Sequence, residues 1–320
     1  MKILYGQKMC LRNSAFCILS SAFLFFSCTN TVVREKDTPV SGRINIAVDE
    51  SYQPFISQEV EVFNSIYTDA TISANYVDEN TAVASLLNDS VRLIVANRML
   101  TGDESKVLEQ HGIVPRATKI AVDAVALIVH NENPDSSMTM ESLQKIIRGE
   151  IRTWKSVSGK SLSDSIVIVF DNSSSSNARY MKEKFLGSNS FPANVFAGKT
   201  NKEVIDYVAE HKRALGVVGV NWISDYSDST VNDFLSKVRV VSLPPADSTM
   251  TDTEFYKPYQ AYIALKKYPL LRDVYIISRE MKAGLGTGFA SFVAGDSGQR
   301  IVRRAGLLPA TMPVRLIQVN

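Results

Sequence analysis

Two rhythms alternate along this chain: short runs rich in valine and isoleucine, and stretches with an apolar residue every three or four positions. The first kind predicts buried strands and the second amphipathic helices. Residues 44–48 form the first strand, which runs into Asp49-Glu50-Ser51-Tyr52-Gln53-Pro54. A helix follows with Phe55, Ile56, Val60 and Phe63 inward, and Pro54 falls early in it, where proline is favoured. Strands are predicted at 71–76 and 93–96, helices at 81–87 and from Thr101 to His111. The third strand ends on Asn97-Arg98. In an open α/β sheet, ligands bind beyond the carboxyl ends of such strands. The long apolar run 121–130 is expected to leave one domain and enter another. A helix over 139–148 carries Met140, Leu143, Ile146 and Ile147 on one face and stops at Gly149. Beyond the Ser-rich segment taken up next, a helix is predicted at 201–211 and strands at 215–220 and 238–243. The stretch 259–265 is the second candidate for a crossing. Helices over 270–282, 287–294 and 297–305 and a final strand at 314–319 complete the pattern. The alternation predicts an α/β protein with mostly parallel sheets, and its length is enough for two domains.

The segment 165–186 concentrates the candidate chemistry. An apolar strand over 165–170 leads into Asp171-Asn-Ser-Ser-Ser-Ser-Asn177, and a helix opens at Ala178. A helix start leaves backbone N–H groups without intrahelical partners, and serine is a good N-cap. Those N–H groups, the hydroxyls of Ser173, Ser174, Ser175 and Ser176, and the Arg179 guanidinium can converge on one small anion. The competing reading is an ordinary capped helix after a Ser-rich loop.

Residues 1–27 stand apart. Lys2, Lys8 and Arg12 precede an apolar run over 15–26 that is too short to span a bilayer, and Ser27-Cys28 follows. This tripartite form predicts a bacterial secretory signal, cleaved before Cys28, whose thiol takes a lipid. The bulky Phe25 departs from the usual lipobox residue, and an uncleaved signal anchor is the alternative. The only other cysteines, Cys10 and Cys17, lie in the leader, so no internal disulfide framework is expected after cleavage. Residues 28–42 read as a polar tether. Removing the three basic leader residues takes the net charge from +2 to −1, which excludes a polybasic nucleic-acid surface. Any anion site must therefore be local.

Several stretches together resemble the phosphate-binding proteins of bacterial phosphate ABC importers. These are Glu132-Asn133-Pro134 with 138–154, the strand Gly216-Val-Val-Gly219, Tyr268-Pro-Leu-Leu-Arg-Asp-Val-Tyr275, and Ser297-Gly-Gln-Arg-Ile-Val302 with Gly306-Leu-Leu-Pro309. The resemblance spans 43–310 in the family's order. It implies a two-lobed periplasmic-binding-protein-like fold of type II, with helices on both sheet faces and two interlobe crossings. Lobe 1 is then 43–125 plus 257–320, and lobe 2 is 126–256. It further implies a lipid-anchored, periplasm-facing monomer that captures phosphate for importer membrane subunits, with no cofactor and no catalysis.

Carried over by position, Asn97-Arg98 falls where the family has a Ser-Arg or Ser-Asp pair. Ser174-Ser-Ser-Asn-Ala-Arg179 falls where it has SGSGTR, keeping Ser174, Ser176 and Arg179 but losing the glycines. Asn172 replaces an arginine often found just before that run, and Asp49-Glu50-Ser51-Tyr52 replaces a small hydroxyl cluster. Two acids at a helix start complement its dipole and repel an anion. Either they only cap the helix, or Asp49 or Glu50 accepts the proton that phosphate carries and sulfate lacks.

His111, His130 and His211 show no metal-ligand spacing, and the serine run has no evident histidine partner for hydrolysis. Trp154 and Trp222 are expected to pack rather than stack on a ligand. The rival to capture for transport is an envelope sensor or interaction module on the same fold, binding a different small ligand or none.

Overall fold

The computed structural model describes residues 37–159, 165–224, 229–246 and 254–313. The leader, most of the tether and the strand expected at 314–319 lie outside them. In chain order the elements are β1 (Gly42–Asp49), α1 (Gln53–Ile66), β2 (Ala70–Val77), α2 (Glu79–Leu87), β3 (Leu93–Ala96), α3 (Gly102–Gln110) and β4 (Arg116–His130). There follow α4 (Met140–Ile147), α5 (Lys155–Ser158), β5 (Val167–Phe170), α6 (Ser176–Phe185), β6 (Val195–Ala197), α7 (Asn201–Glu210), β7 (Ala214–Gly219), α8 (Ser229–Lys237) and β8 (Val238–Val240). The last are α9 (Gln260–Ala264), β9 (Leu271–Ser278), α10 (Leu285–Ala294), α11 (Asp296–Arg304) and β10 (Leu308–Pro309). Short 3₁₀ turns follow β1 at Glu50–Tyr52 and β7 at Val220–Trp222.

The strands run in the order β2-β1-β3-β9-β4-β7-β5-β6, with β8 and β10 also on β4. The flanks are parallel: β1 with β2 and β3, and β5 with β6 and β7. The centre is antiparallel, because β9 returns between β3 and β4, and β7 runs against β4. A curled mixed sheet with helices packed on it results, the two-lobed architecture anticipated above.

β4 joins the halves. Its first part, to Ala124, pairs with β9, whereas Val125–Val129 pairs with β7. A near-continuous buried run from Ile120 onward suits a strand covered on both faces. Asp123 is a charged residue within that run, completely buried and directly opposite Arg272 of β9.

The stretch 259–265 contains helix α9, whose Gln260 donates to the Arg303 and Leu307 carbonyls, so the chain has reached the first half before β9. One expectation fails, at β9. The helix expected over 270–282 is that strand, since burial alternates through Arg272, Val274 and Ile276. A charged residue at a buried position broke the apolar alternation, and Leu270, Leu271, Val274 and Ile277 mimicked a helical face.

Candidate functional site

The site lies where β1 and the segment after β5 end against each other. β1 stops at Asp49, whose Oδ1 accepts the Ser51 N–H at 3.1 Å and so caps the 3₁₀ turn that opens α1. On the other side Ser175 caps α6. Its Oγ accepts the Ala178 N–H at 3.1 Å and donates to Asp171 Oδ1 at 2.7 Å. The helix thus opens at Ser176, two residues before the sequence pattern placed it. The two helix starts meet through their side chains, with Ser51 Oγ 3.2 Å from Ser176 Oγ. Both serines are buried.

Hydrogen bonds link the halves around this contact. Glu50 receives the Asn201 backbone N–H at the start of α7, 3.2 Å from each oxygen, and the Asn201 amide at 2.6 Å. The Ser51 carbonyl accepts from Asn221 Nδ2 at 2.8 Å and from Trp222 Nε1 at 3.1 Å. Trp222 therefore packs, as expected, and also donates. Asn177 donates to Asn201 Oδ1, which takes the Gly219 N–H as well.

Arg98 and Arg179, distant in sequence, converge on Glu79. That residue opens α2 behind the Asp78 cap and is 1% exposed. Arg179 donates from Nε to Glu79 Oε2 at 2.5 Å and from Nη2 to Oε1 at 3.2 Å. It also holds Glu183 at 2.7 Å and the Asn97 side-chain oxygen. Arg98 grips Glu104 through two bonds of 2.7 and 2.9 Å and lies 3.5 Å from Glu79. Of the predicted set, Asp49, Glu50, Ser51, Asn97, Ser175, Ser176 and Arg179 thus meet at the junction. Arg98 reaches it only through Glu79. Ser174 is exposed, and its N–H donates to Asn172 Oδ1.

Sequence reasoning passed over four contributors: Glu79, Arg272, Asn201 and Asn221. Glu79 looked like an ordinary acid in a helix first turn. Arg272 lay inside a stretch used only to detect resemblance and assigned to a helix. Here its Nε donates to Asp123 Oδ2 at 2.7 Å and its Nη1 to Ser176 Oγ at 3.3 Å.

Carboxyl groups crowd the junction: Asp49, Glu50, Glu79, Asp123 and Asp171. Burial pushes Asp49 up to about 7, assisted by the neighbouring Glu79 charge. Burial likewise pushes Glu50 up to about 7, against the lowering effect of the Asn201 hydrogen bonds. Asp171 is raised by burial too. Among the described residues no cluster of histidine, cysteine and acidic side chains could hold a metal. His130 accepts the Glu132 N–H and His211 stacks on Tyr207, so neither serves the two serines. The arrangement offers two hydroxyls, helix-start amides and buried carboxyls: chemistry for binding a small polar group.

A family model described as a PBP superfamily domain matches residues 34–297. The chain belongs to the PBP superfamily. Among its PBP-superfamily relatives, the phosphate-binding protein PstS of Borreliella burgdorferi is 24% identical over 298 residues, covering 90% of this chain and 95% of the relative. PstS of Pseudomonas aeruginosa is 22% identical over 290 residues, covering 86% and 85%. The resemblance read from the sequence is borne out by these relatives. The fold matches an ABC-type phosphate transport receptor from Vibrio cholerae with TM-score 0.61, 19% identity, and coverage of 84% of this chain and 100% of that one. A structure with bound phosphate, assigned to a phosphate ABC transporter substrate-binding protein of Clostridium perfringens, gives TM-score 0.68, 21% identity, and coverage of 84% and 100%. Among the described residues no helix is long and apolar enough to cross a membrane.

Proposed function

We propose that this protein is a solute-binding protein that captures an oxyanion, foremost inorganic phosphate, between its two lobes and hands it unchanged to ABC importer membrane subunits. In this reading lobe 1 comprises 43–125 and 257–320 and lobe 2 comprises 126–256. Cys28, lipidated after removal of 1–27, tethers a monomer on the periplasmic side of the envelope. The observation that carries the reading is the opposition of two helix starts, one per half, with Ser51 and Ser176 hydroxyls 3.2 Å apart. Opening the halves would let a tetrahedral anion enter and receive hydroxyls and N–H groups from both sides. Closing would then remove water and strengthen each bond. Asp49, Glu50, Asn97, Ser174 and Ser175 complete the proposed seat, with Arg98 and Arg179 supplying charge beside it. The relatives' names, phosphate-binding protein PstS, support the choice of ligand. Calorimetric titration of the protein with phosphate and sulfate tests it. Saturable heat with phosphate is expected, and a panel in which only cations or amines bind would overturn the reading.

One observation favours the rival, an envelope sensor or interaction module. The Ser51 and Ser176 hydroxyls touch each other and Arg179 reaches across to Glu79, so the halves meet through the protein's own groups. Thermal-shift screening separates the two readings, because a sensor for another ligand would respond to that ligand and not to phosphate.

A further inference from the structure

The three guanidinium groups at the junction differ in what they have left to offer. Arg98 and Arg179 are committed to Glu104, Glu79, Glu183 and Asn97, as described above. Arg272 is buried, with its side chain 3% exposed. It spends Nε on Asp123 and Nη1 on Ser176, while its Nη2 has no hydrogen-bond partner among the described residues. A buried donor left unmet costs free energy that an incoming acceptor recovers. The plane of this group is also fixed. Asp123 holds it from the facing strand β4, and the Tyr52 ring lies under it at 5.5 Å.

Gly219 lies directly against that donor. A Cβ added at Gly219 would stand 3.5 Å from Arg272 Nη2, 3.4 Å from the Ser51 carbonyl and 3.1 Å from Asn221 Nδ2. The φ of Gly219 is −71°, which any residue adopts, so the glycine serves here by lacking a side chain.

We propose that Arg272 is the residue that grips the anion, with Asp123 and Tyr52 as its positioning residues, and that Arg98, Glu79 and Arg179 fasten the two halves without touching the guest. This rests on the capture reading. A charge-assisted bond from a pre-aimed guanidinium to an oxyanion is stronger than a neutral one and needs little reordering. Arg98 and Arg179 would first have to break existing ion pairs to do the same.

The test is calorimetric titration of the full chain with phosphate, sulfate and formate. Arg272→Gln alone strands Asp123, so the decisive comparison is the double variant Asp123→Asn/Arg272→Gln against Asp123→Asn. The double variant is expected to bind about 10- to 100-fold more weakly than that reference. Gly219→Ala, which strands no charge, is expected to weaken binding as well. If the parent binds and the double variant binds within about twofold of its reference, Arg272 is not the grip and the capture reading stands. If the parent responds to no oxyanion, the capture reading falls and this assignment with it. Circular dichroism on each variant separates lost binding from lost folding.

Discussion

Glu59 stands in the inward stripe of α1 with Phe55, Ile56 and Phe63, fully buried, and neither carboxyl oxygen has a partner among the described residues. Burial pushes it from an ordinary 4.5 to about 9. The folded state then keeps a proton that the unfolded state loses at neutral pH. Stability is greatest below 4.5 and declines as pH rises towards 9. Glu59→Gln is expected to gain stability over the parent by on the order of 3 kcal/mol between pH 4.5 and 7, read from thermal melts at both pH values. In the capture reading, Asp49 and Glu50, both pushed to about 7, would act on binding in the same sense. As pH falls through 7 they become neutral, so repulsion of an anion fades and neutral carboxyls can donate. Sulfate affinity is expected to rise between pH 8 and 6, by about tenfold per neutralised charge lying against it. Sulfate keeps its own charge across that range, which makes it the clean probe. Glu50→Gln should flatten the slope in calorimetry.

At the scale of elements, α7 is the piece that brings Asn201 to Glu50, and it depends on one small residue. A Cβ on Gly216 of β7 would lie 2.7 Å from Val208, 2.8 Å from Ile128 and 3.0 Å from Val204. Gly216→Ala is expected to destabilise by about 1–3 kcal/mol in urea denaturation, because the overpacked helix must lift from the sheet. The strand that carries Gly216 was legible in the sequence, as were the strand β3, β4 as a crossing and the Ser-rich helix start. Their residues obey a single rhythm, or carry side chains that only one local geometry uses well. β9 was not legible, because its buried face holds Arg272 and Ser278 among apolar residues. Periodicity assigns a buried arginine to the surface. Only tertiary pairing with Asp123 makes its position tolerable, and no local pattern announces that pairing. The same holds for Glu79, whose partner Arg179 comes from an element far along the chain.

For the whole molecule, the two halves are joined through Glu79, Arg179, Ser51, Ser176 and Glu50. Two further bonds reinforce them, Tyr180 Oη to the Leu271 carbonyl at 3.1 Å and Lys184 Nζ to the Pro269 carbonyl at 3.0 Å. Arg179→Ala removes both of its bonds to Glu79 and leaves that buried carboxylate with Arg98 alone. Loss of about 1–3 kcal/mol of stability is expected, together with a larger ligand-free radius of gyration in small-angle X-ray scattering. An unchanged radius would show that the remaining contacts suffice to keep the halves shut.

The late strand β9 fills the slot between β3 and β4. A nascent chain lacking residues 271–278 therefore holds a sheet with its middle plank missing, and β4 has no neighbour along its first part except the still later β10. Cooperative folding of the first half then waits for β9 and β10, after β1 to β4 have been made. Such a delay would keep the chain threadable while it is made, which suits the export proposed above.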